Sequence, residues 1–446
     1  MSGRSWPFDA DLLNKLNLKM IKIALTGDIF VSRRFPAVGY RGMSSVAELL
    51  QGYEVRFGNL ETTVHNKAGY PSAFPGGTWA MAEPGCLDDI KYLGINLLST
   101  ANNHSMDYSH TGLLKTIDYL REKDLVFSGT GENLGEASKP AFFECQNGRV
   151  ALISITSSFH DSDAAGNQRI DMPGRPGVNP LRHETIFEVT PDNLQVLERI
   201  SNQIGINSYH NQAIKEGYLP ERENFNFANF EFIKSNRNRQ RTYPLEKDLR
   251  RTRRSIKEAK KQADFVILSL HSHQFSDGSK EVPAEFIRTF AQECIDAGAA
   301  IVVGHGPHIL RGIEKYKKGV ILYGLGNFIF QNETVKYLPA EFFEKYGLEH
   351  DDGVGSAMDK RSKSGTIGLN IESAAWESVI VGIECSEGSL KVRLFPISLG
   401  FGLSRYTRGL PCLVQDDLIL ERINKLSSRF GTSVMIGTDH TGYIEV

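Results

Sequence analysis

Cysteine is scarce in this chain and poorly placed for covalent structure. Its 446 residues include five, Cys86, Cys145, Cys294, Cys385 and Cys412, with no Cys-x-x-Cys pair. An odd number cannot all be paired. This argues against a disulfide scaffold or a Cys-rich zinc module and favours a reducing compartment. Long apolar runs are also missing. The longest, such as Phe265–Leu270, have the length of a strand and fall far short of the roughly 20 residues of a membrane span. The first twenty residues mix Asp9, Asp11, Lys15 and Lys19 with scattered apolar side chains. They lack the apolar core of roughly 7–15 residues that a signal peptide carries. The expected location is cytoplasmic, with no membrane span. Residues 1–20 are expected to form an N-terminal arm in which Met20 is an alternative start. Neither sign of charge dominates, since 51 basic and 53 acidic residues leave a net charge of −2. That balance speaks against nucleic acid as a partner and against an acidic solvating tail.

The remaining composition is that of a globular protein, with 40% hydrophobic and 10% aromatic residues. At about 150 residues per domain, the length allows one large domain or up to about three small ones. Short apolar strands alternate with amphipathic helices. Ile21–Thr26 is an expected strand ending in Gly27-Asp28, and Glu54–Phe57 is another ending in Gly58-Asn59-Leu60-Glu61. Ile95–Ser99 is followed by Thr100-Ala101-Asn102-Asn103-His104. Leu113, Leu114, Ile117 and Leu120 recur at helical spacing within His110–Lys123. Val150–Ile155 and Ala263–Leu270 are further strands, the second leading into His271-Ser272-His273. A helix from Pro283 to about Ile295, closed by Gly298, precedes the strand Ala299–Val303 and then Gly304-His305-Gly306-Pro307-His308. Residues 365–398 are strand-rich, and Asp416–Ser428 reads as a helix.

One region breaks the rhythm. Residues 157–262 show no clear strand, a Pro/Gly-rich piece at Met172–Gly177, and two helices at about 191–216 and 245–262. An insertion of that length between core strands reads as a cap facing the substrate. The expected core is then 21–156 with 263–400. Residues 401–446 supply a C-terminal helix and strands packed on it.

The informative fact is where the polar residues fall. Asp28, Asn59, Glu61, Asn103, His104, His271, His273, His305 and His308 each lie just beyond the C-terminal end of an expected strand. In alternating α/β proteins those ends converge on one edge, where ligands bind. Oxygen and imidazole donors without thiolates suit Mn, Fe, Zn or Ca. The set is large enough for one or two divalent ions, two being bridged by a carboxylate as in-line displacement at phosphorus requires. Each element also has a plainer reading. Gly27-Asp28 is a common strand-to-turn punctuation, and Glu61 can cap the turn after its strand. Asn102-Asn103-His104 can be a turn whose side chains satisfy backbone groups. His271 and His273 alternate by two, and one of them can be a buried structural histidine. His305 and His308 flank an irregular Gly-Pro turn and are the strongest local signal. Jointly the plain readings weaken, because every strand end needs a separate one.

The same residues carry a family resemblance. Leu25–Asp28, Gly58–Thr62, Ser99–Asp107, Asp264–His271, Gly298–Ile309 and Tyr323–Phe328 follow one another as in the CapA family. That family is named for capsule and poly-γ-glutamate synthesis and resembles calcineurin-like metallophosphoesterases in fold. The resemblance runs from about 21 to 331 and is looser over 332–446. It implies an α/β fold, a four-layer αββα sandwich of the metallo-dependent phosphatase type with a mixed α/loop insertion. It also implies Asp28, Glu61, Asn103, His271, His305 and His308 as metal ligands, with His104 beside the reacting group. Three departures stand out. Phe30 replaces the histidine of an Asp-x-His opening, Gly306-Pro307-His308 replaces His-Pro-His, and His271–Phe275 lacks the acidic residue of His-Trp-Gly-x-Glu. Capsule-assembly members are commonly membrane-anchored, and this chain shows no anchor.

Function then divides three ways. The first is a metal-dependent hydrolase of a phosphoester or related anionic ester, connected with capsule or poly-γ-glutamate metabolism. In it His104, held by Asp107 or a neighbouring amide, protonates the leaving oxygen. Substrate contacts are expected from Asn59, His273, Asn327, Arg250 and Arg254. The two arginines belong to a run from Arg237 to Lys261 with eleven basic and three acidic residues. A solvated helix face is its default reading. The alternative is a lid presenting guanidinium groups to a carboxylate or phosphate. The second function is epimerisation at a peptide α-carbon, and the third is a non-catalytic accessory protein that binds a polyanion. The expected partner is accordingly an anionic small molecule, a peptide or polyglutamate.

Overall fold

A computed structural model describes residues 20–386 and 388–446. The expected N-terminal arm lies outside the described residues except for Met20. The fold is mixed α/β and rests on two main sheets. The larger sheet runs Met435–Ile436, Gly442–Glu445, Ser389–Ser398, Glu377–Ser386, Ile21–Phe30, Val55–Leu60, Leu97–Ser99 and Val126–Ser128, with Asn327–Phe330 also paired to Ile21–Phe30. The smaller runs Ile313–Tyr316, Gly319–Leu322, Ile301–His305, Phe265–His271, Gly148–Thr156 and Ala141–Cys145. The central strands of both are parallel. Antiparallel strands flank them.

Strands covered on both faces need apolar residues at every position, which is why these read as short Val/Ile/Leu runs. Ile23, Leu25 and Phe57 of the larger sheet share one core with Leu152, Ile267, Ile301 and Val303 of the smaller. The helix Asp417–Ser428, capped by the Asp416 carboxylate on the Leu418 N–H, adds Leu420, Ile423 and Leu426 to that core. On the other side of the larger sheet, Ala24 and Leu98 pack with Val46 and Leu50 of the helix Met43–Gln51 and with Leu87 and Ile90 of Cys86–Tyr92. Ile153, Val266 and Leu268 of the smaller sheet pack with Leu249 and Ile256 of the helix Glu246–Ala259 and with Phe286 and Phe290 of Glu285–Ala297. Full burial of such a side chain is worth about 1.5–3 kcal/mol. No helix of the described residues is long and apolar enough to cross a membrane.

Several expected elements are corrected. Residues 157–262 are not strand-free, for Phe225–Phe227, Phe230–Lys234, His183–Val189 and Arg239–Pro244 form a four-stranded sheet. Most of its positions are only partly buried, and charged residues such as Glu184, Glu188, Glu231 and Arg239 interrupt the apolar ones. A half-solvated sheet of that kind leaves no apolar run to read. The single helix expected at about 191–216 is two, Pro191–Ile204 and Ser208–Lys215, parted at Gly205 with a left-handed φ of 63°. Pro283 ends the strand Ser279–Pro283, and the next helix starts at Glu285.

The first strand runs beyond Thr26 to Phe30, so Asp28 sits inside it. Gly27 allows this. A Cβ there would stand 1.9 Å from the Gly326 carbonyl oxygen, the same oxygen that accepts the Asp28 N–H at 3.0 Å.

Candidate metal centre

Parallel register gathers the polar residues. Asp28 is level with Asn59 on one neighbouring strand and with Asn327 on the other. Across the smaller sheet His271 is level with His305. The two rows meet between the sheets, where Asp28 Oδ1 lies 3.8 Å from His271 Nδ1 and 3.7 Å from His305 Nδ1.

Two groups of donor atoms result, each held within 4.8 Å. Asp28, His271 and His305 form the first, and Glu61, His273 and His308 form the second. His271 stands between them. Its Nδ1 is 3.0 Å from His305 Nδ1, and its Nε2 is 3.1 Å from His273 Nε2 and 3.6 Å from Glu61 Oε1. His308 Nδ1 is 3.7 Å from Asp28 Oδ2 and 3.9 Å from Glu61 Oε2. Nitrogen ligands about 2.1 Å from one ion stand about 3.0–3.4 Å apart, the spacing of these imidazoles.

Further residues orient the donors. Asn59 Nδ2 donates to Asp28 Oδ1 at 2.8 Å, and its own Oδ1 accepts from Asn102 Nδ2 at 3.2 Å. The Gly306 N–H donates to Asp28 Oδ2 at 3.0 Å. Asn327 Nδ2 donates to the Ala375 carbonyl, so its Oδ1, 2.8 Å from His308 Nδ1, accepts the proton that Nδ1 carries. That leaves His308 Nε2 with the lone pair a ligand needs. His308 has a φ of 59°, a left-handed conformation rare outside glycine that costs on the order of 1 kcal/mol. Ser269 Oγ lies 2.7 Å from His305 Nε2 and holds that ring in place.

Burial dominates the electrostatics. It pushes the Asp28 carboxyl up to about 7, against the Asn59 and Gly306 hydrogen bonds, which lower it. It raises Glu61 well above the usual range, with the Asp28 and Asp107 charges adding to the rise. Burial also lowers the imidazoles, His305 to about 3 and His308 to about 4. His271 and His273 fall well below the ordinary value, through burial first and the neighbouring histidines second. Neutral imidazoles are the form that binds a metal. Both oxygens of the fully buried Glu61 lack any hydrogen-bond partner. An orphaned carboxylate ringed by neutral imidazoles fits a divalent cation, because a buried acceptor with no donor costs free energy.

Beside the donors, His104 Nδ1 is 2.6 Å from Asp107 Oδ2. Asp107 also accepts the Gly76 and Ala80 N–H groups at 2.8 and 2.7 Å. A carboxylate accepting from all sides fixes the His104 proton on Nδ1 and frees Nε2. Phe30, in place of the histidine of an Asp-x-His opening, packs edge-on against the His104 ring at 5.1 Å. A cavity of about 280 Å³ opens over this end of the sheets, lined by Gly76, Asn103, Ser158, His273 and Gln274 among others.

The expected residues divide as follows. Asp28, Glu61, His271, His305 and His308 come together, and His273, expected to touch substrate, joins the donors and also lines the cavity. Asn103 stands at the cavity, its Nδ2 bonded to the Gly76 carbonyl and its buried Oδ1 without a partner. Asn59 and Asn327, also expected to touch substrate, are fully buried with both amide atoms engaged and instead position Asp28 and His308. Arg250 and Arg254 are in neither group of donors and do not line the cavity above them. Their helix buries Leu249, Thr252 and Ile256, so the arginine face turns outward.

Two residues went unread in the sequence. Asn102, seen only as part of a turn, holds Asn59 and the Leu60 carbonyl. Arg311, 1% exposed and lowered by burial to about 9, donates to the Lys280 and Gln274 carbonyls at 2.8 and 2.9 Å and ties down the loop that carries His273. No local pattern marks it.

A family model described as bacterial capsule synthesis protein PGA_cap matches residues 22–332. The chain belongs to this family. Every donor of the centre falls within the matched stretch. Two proteins of Sinorhizobium fredii, the uncharacterized proteins y4sH and y4uA, are each 35% identical over 435 residues, spanning 94% of this chain and 92% of their own. The capsule biosynthesis protein CapA of Bacillus anthracis is 25% identical over 318 residues, 70% of this chain and 60% of its own. The PGA biosynthesis protein CapA of Bacillus subtilis is 27% identical over 242 residues, 54% of this chain and 44% of its own.

Proposed function

We propose that the chain is a divalent-metal-dependent hydrolase of anionic esters, phosphoesters above all. It would act in the cytoplasm, in capsule or poly-γ-glutamate metabolism, as the names of the two Bacillus relatives suggest. The observation that carries the reading is Glu61, a fully buried carboxylate with no hydrogen-bond partner, set among imidazoles that burial holds neutral. In this reading the two covered sheets form a four-layer αββα sandwich of the metallophosphatase type over 21–156 and 263–400. Residues 157–262 are an insertion, and 401–446 complete the core.

Asp28, Glu61, His271, His273, His305 and His308 would hold one or two ions of Mn, Fe, Zn or Ca, with Asn103 Oδ1 as a further donor. Such ions supply Lewis-acid polarisation of the ester and lower the pKa of an attacking water. The protein's own contribution is orientation and proton handling. Asn59 and Gly306 aim Asp28, and Asn327 fixes the tautomer of His308. Asp107 fixes the His104 proton on Nδ1, so a protonated His104 gives up its second proton from Nε2 to the leaving oxygen. An anionic small molecule, a peptide or polyglutamate would enter through the cavity that His273 and Asn103 line.

The test is turnover of bis-p-nitrophenyl phosphate by Mn-loaded protein. His104→Ala should lose about 10²–10⁴ in kcat while retaining its metal. Stoichiometric metal without turnover on a broad phosphoester panel would refute the hydrolase.

A further inference from the structure

The segment between the strands Gly148–Thr156 and His183–Val189 borders two cavities. Ser157–His160 wall the one over the histidines. Ala165–Asn167 and Arg175 wall another, of about 800 Å³, whose opposite side is the helix Glu246–Ala259. This second cavity collects Lys139, Arg175, Arg182, Lys247, Arg251 and Arg254 against only Asp248 and Glu258, six cations to two anions.

Both acids are already engaged. Asp248, fully buried, accepts from the Arg182 guanidinium at 3.2 Å, from the Arg182 N–H at 2.9 Å and from Arg251. Glu258 pairs with Lys261 at 2.8 Å. Lys139, Lys247 and Arg254 make no side-chain hydrogen bond or ion pair among the described residues, and all three are exposed. Arg175 is bonded only to the backbone carbonyls of Ala164 and Asp161. Arg251 Nε is buried with no partner at all. Like charges gathered in a concavity repel one another, and the field they make there attracts anions. Guanidinium forks fit carboxylate and phosphate oxygens in pairs. Lys247, Arg251 and Arg254 of the basic run thus line a concavity that shares no residue with the cavity over the donors.

We infer that this cavity binds a polyvalent oxyanion, an oligocarboxylate or an oligophosphate, and that it does so without metal. The inference does not depend on the hydrolase reading. Calorimetry on the full chain in EDTA, with hexaglutamate and tripolyphosphate as separate probes, tests it. Saturable binding near one to one is expected for at least one probe, weakening as NaCl rises. Hexaglutamate binding alone would mark the ligand as a carboxylate, and tripolyphosphate binding alone would mark it as phosphoryl.

Lys247→Glu combined with Arg254→Glu should weaken binding by about tenfold or more. Both side chains are exposed, so folding is not at stake. Lys234→Glu with Lys257→Glu makes the same charge change at exposed positions outside the cavity and should keep most of the affinity. Failure of both probes to bind, or equal weakening in the two double variants, would overturn the inference.

Discussion

In the metal-free protein, Glu61→Gln is expected to raise stability, the reverse of most substitutions at a buried site. Glu61 is fully buried, and neither of its oxygens is hydrogen-bonded. Burial, with Asp28 and Asp107 nearby, raises its carboxyl well above the ordinary 4.5. A carboxyl raised on folding contributes stability at low pH and loses it as pH climbs from 4.5 toward the folded-state value, at about 1.4 kcal/mol per pH unit. The loss is therefore larger at pH 7.5 than at pH 5. Glutamine keeps the shape and avoids that loss, but its own amide stays unpartnered, which costs about 1–3 kcal/mol. The net expectation is that Glu61→Gln moves from a loss near pH 5 to a gain at pH 7.5, a change on the order of 1 kcal/mol or more.

Saturating Mn should reverse the order. At a hundredfold over Kd it stabilises the wild type by about 2.7 kcal/mol, and a variant lacking the charge gains far less. Urea unfolding at the two pH values, in EDTA and in Mn, measures both effects. A variant less stable than the wild type at pH 7.5 in EDTA, or one keeping the full Mn shift, would show that Glu61 is not an orphaned ligand.

Gly27→Ala sets a methyl against the Gly326 backbone, which cannot swing aside, and should cost about 3 kcal/mol together with metal retention. A silent substitution in urea unfolding would mean the two strands separate freely there. His65 is buried, lowered by that burial to about 4, and accepts the Ala68 N–H on Nδ1. A histidine lowered on folding supports the fold above its unfolded pKa of about 6.5 and loses that support as pH falls, by about 3 kcal/mol at pH 4. His65→Gln should flatten that part of the acid unfolding curve, and superimposable curves would refute it. Asn327→Leu removes the acceptor that sets the His308 tautomer and should weaken Mn binding about 10–100-fold by isothermal titration. Unchanged affinity would mean that His308 is oriented by packing alone.

Much of the frame was legible because strand and helix periods are local. Ile21–Thr26 and Val150–Ile155 fall inside observed strands, Ala263–Leu270 overlaps the strand Phe265–His271, and His110–Lys123 nearly coincides with the helix Ser109–Glu122. Polar residues at the ends of apolar runs marked most of the centre. The sheet of the insertion escaped because its half-solvated strands alternate charged with apolar residues.

Which asparagine is buried, which histidine is a donor and which way the arginines face was not written locally. Asn59 and Asn327 became positioning groups only when register set them level with Asp28 on its two sides. His273 joined the donors because Arg311, distant in sequence, anchors its loop. The amino-acid order alone determined the strands, the helices and the chemistry available at their ends. Only the tertiary structure decided how that chemistry is shared between two donor groups and a separate cationic chamber, because distances of a few ångströms between residues up to 280 positions apart are set by strand register and by the packing of one sheet on the other.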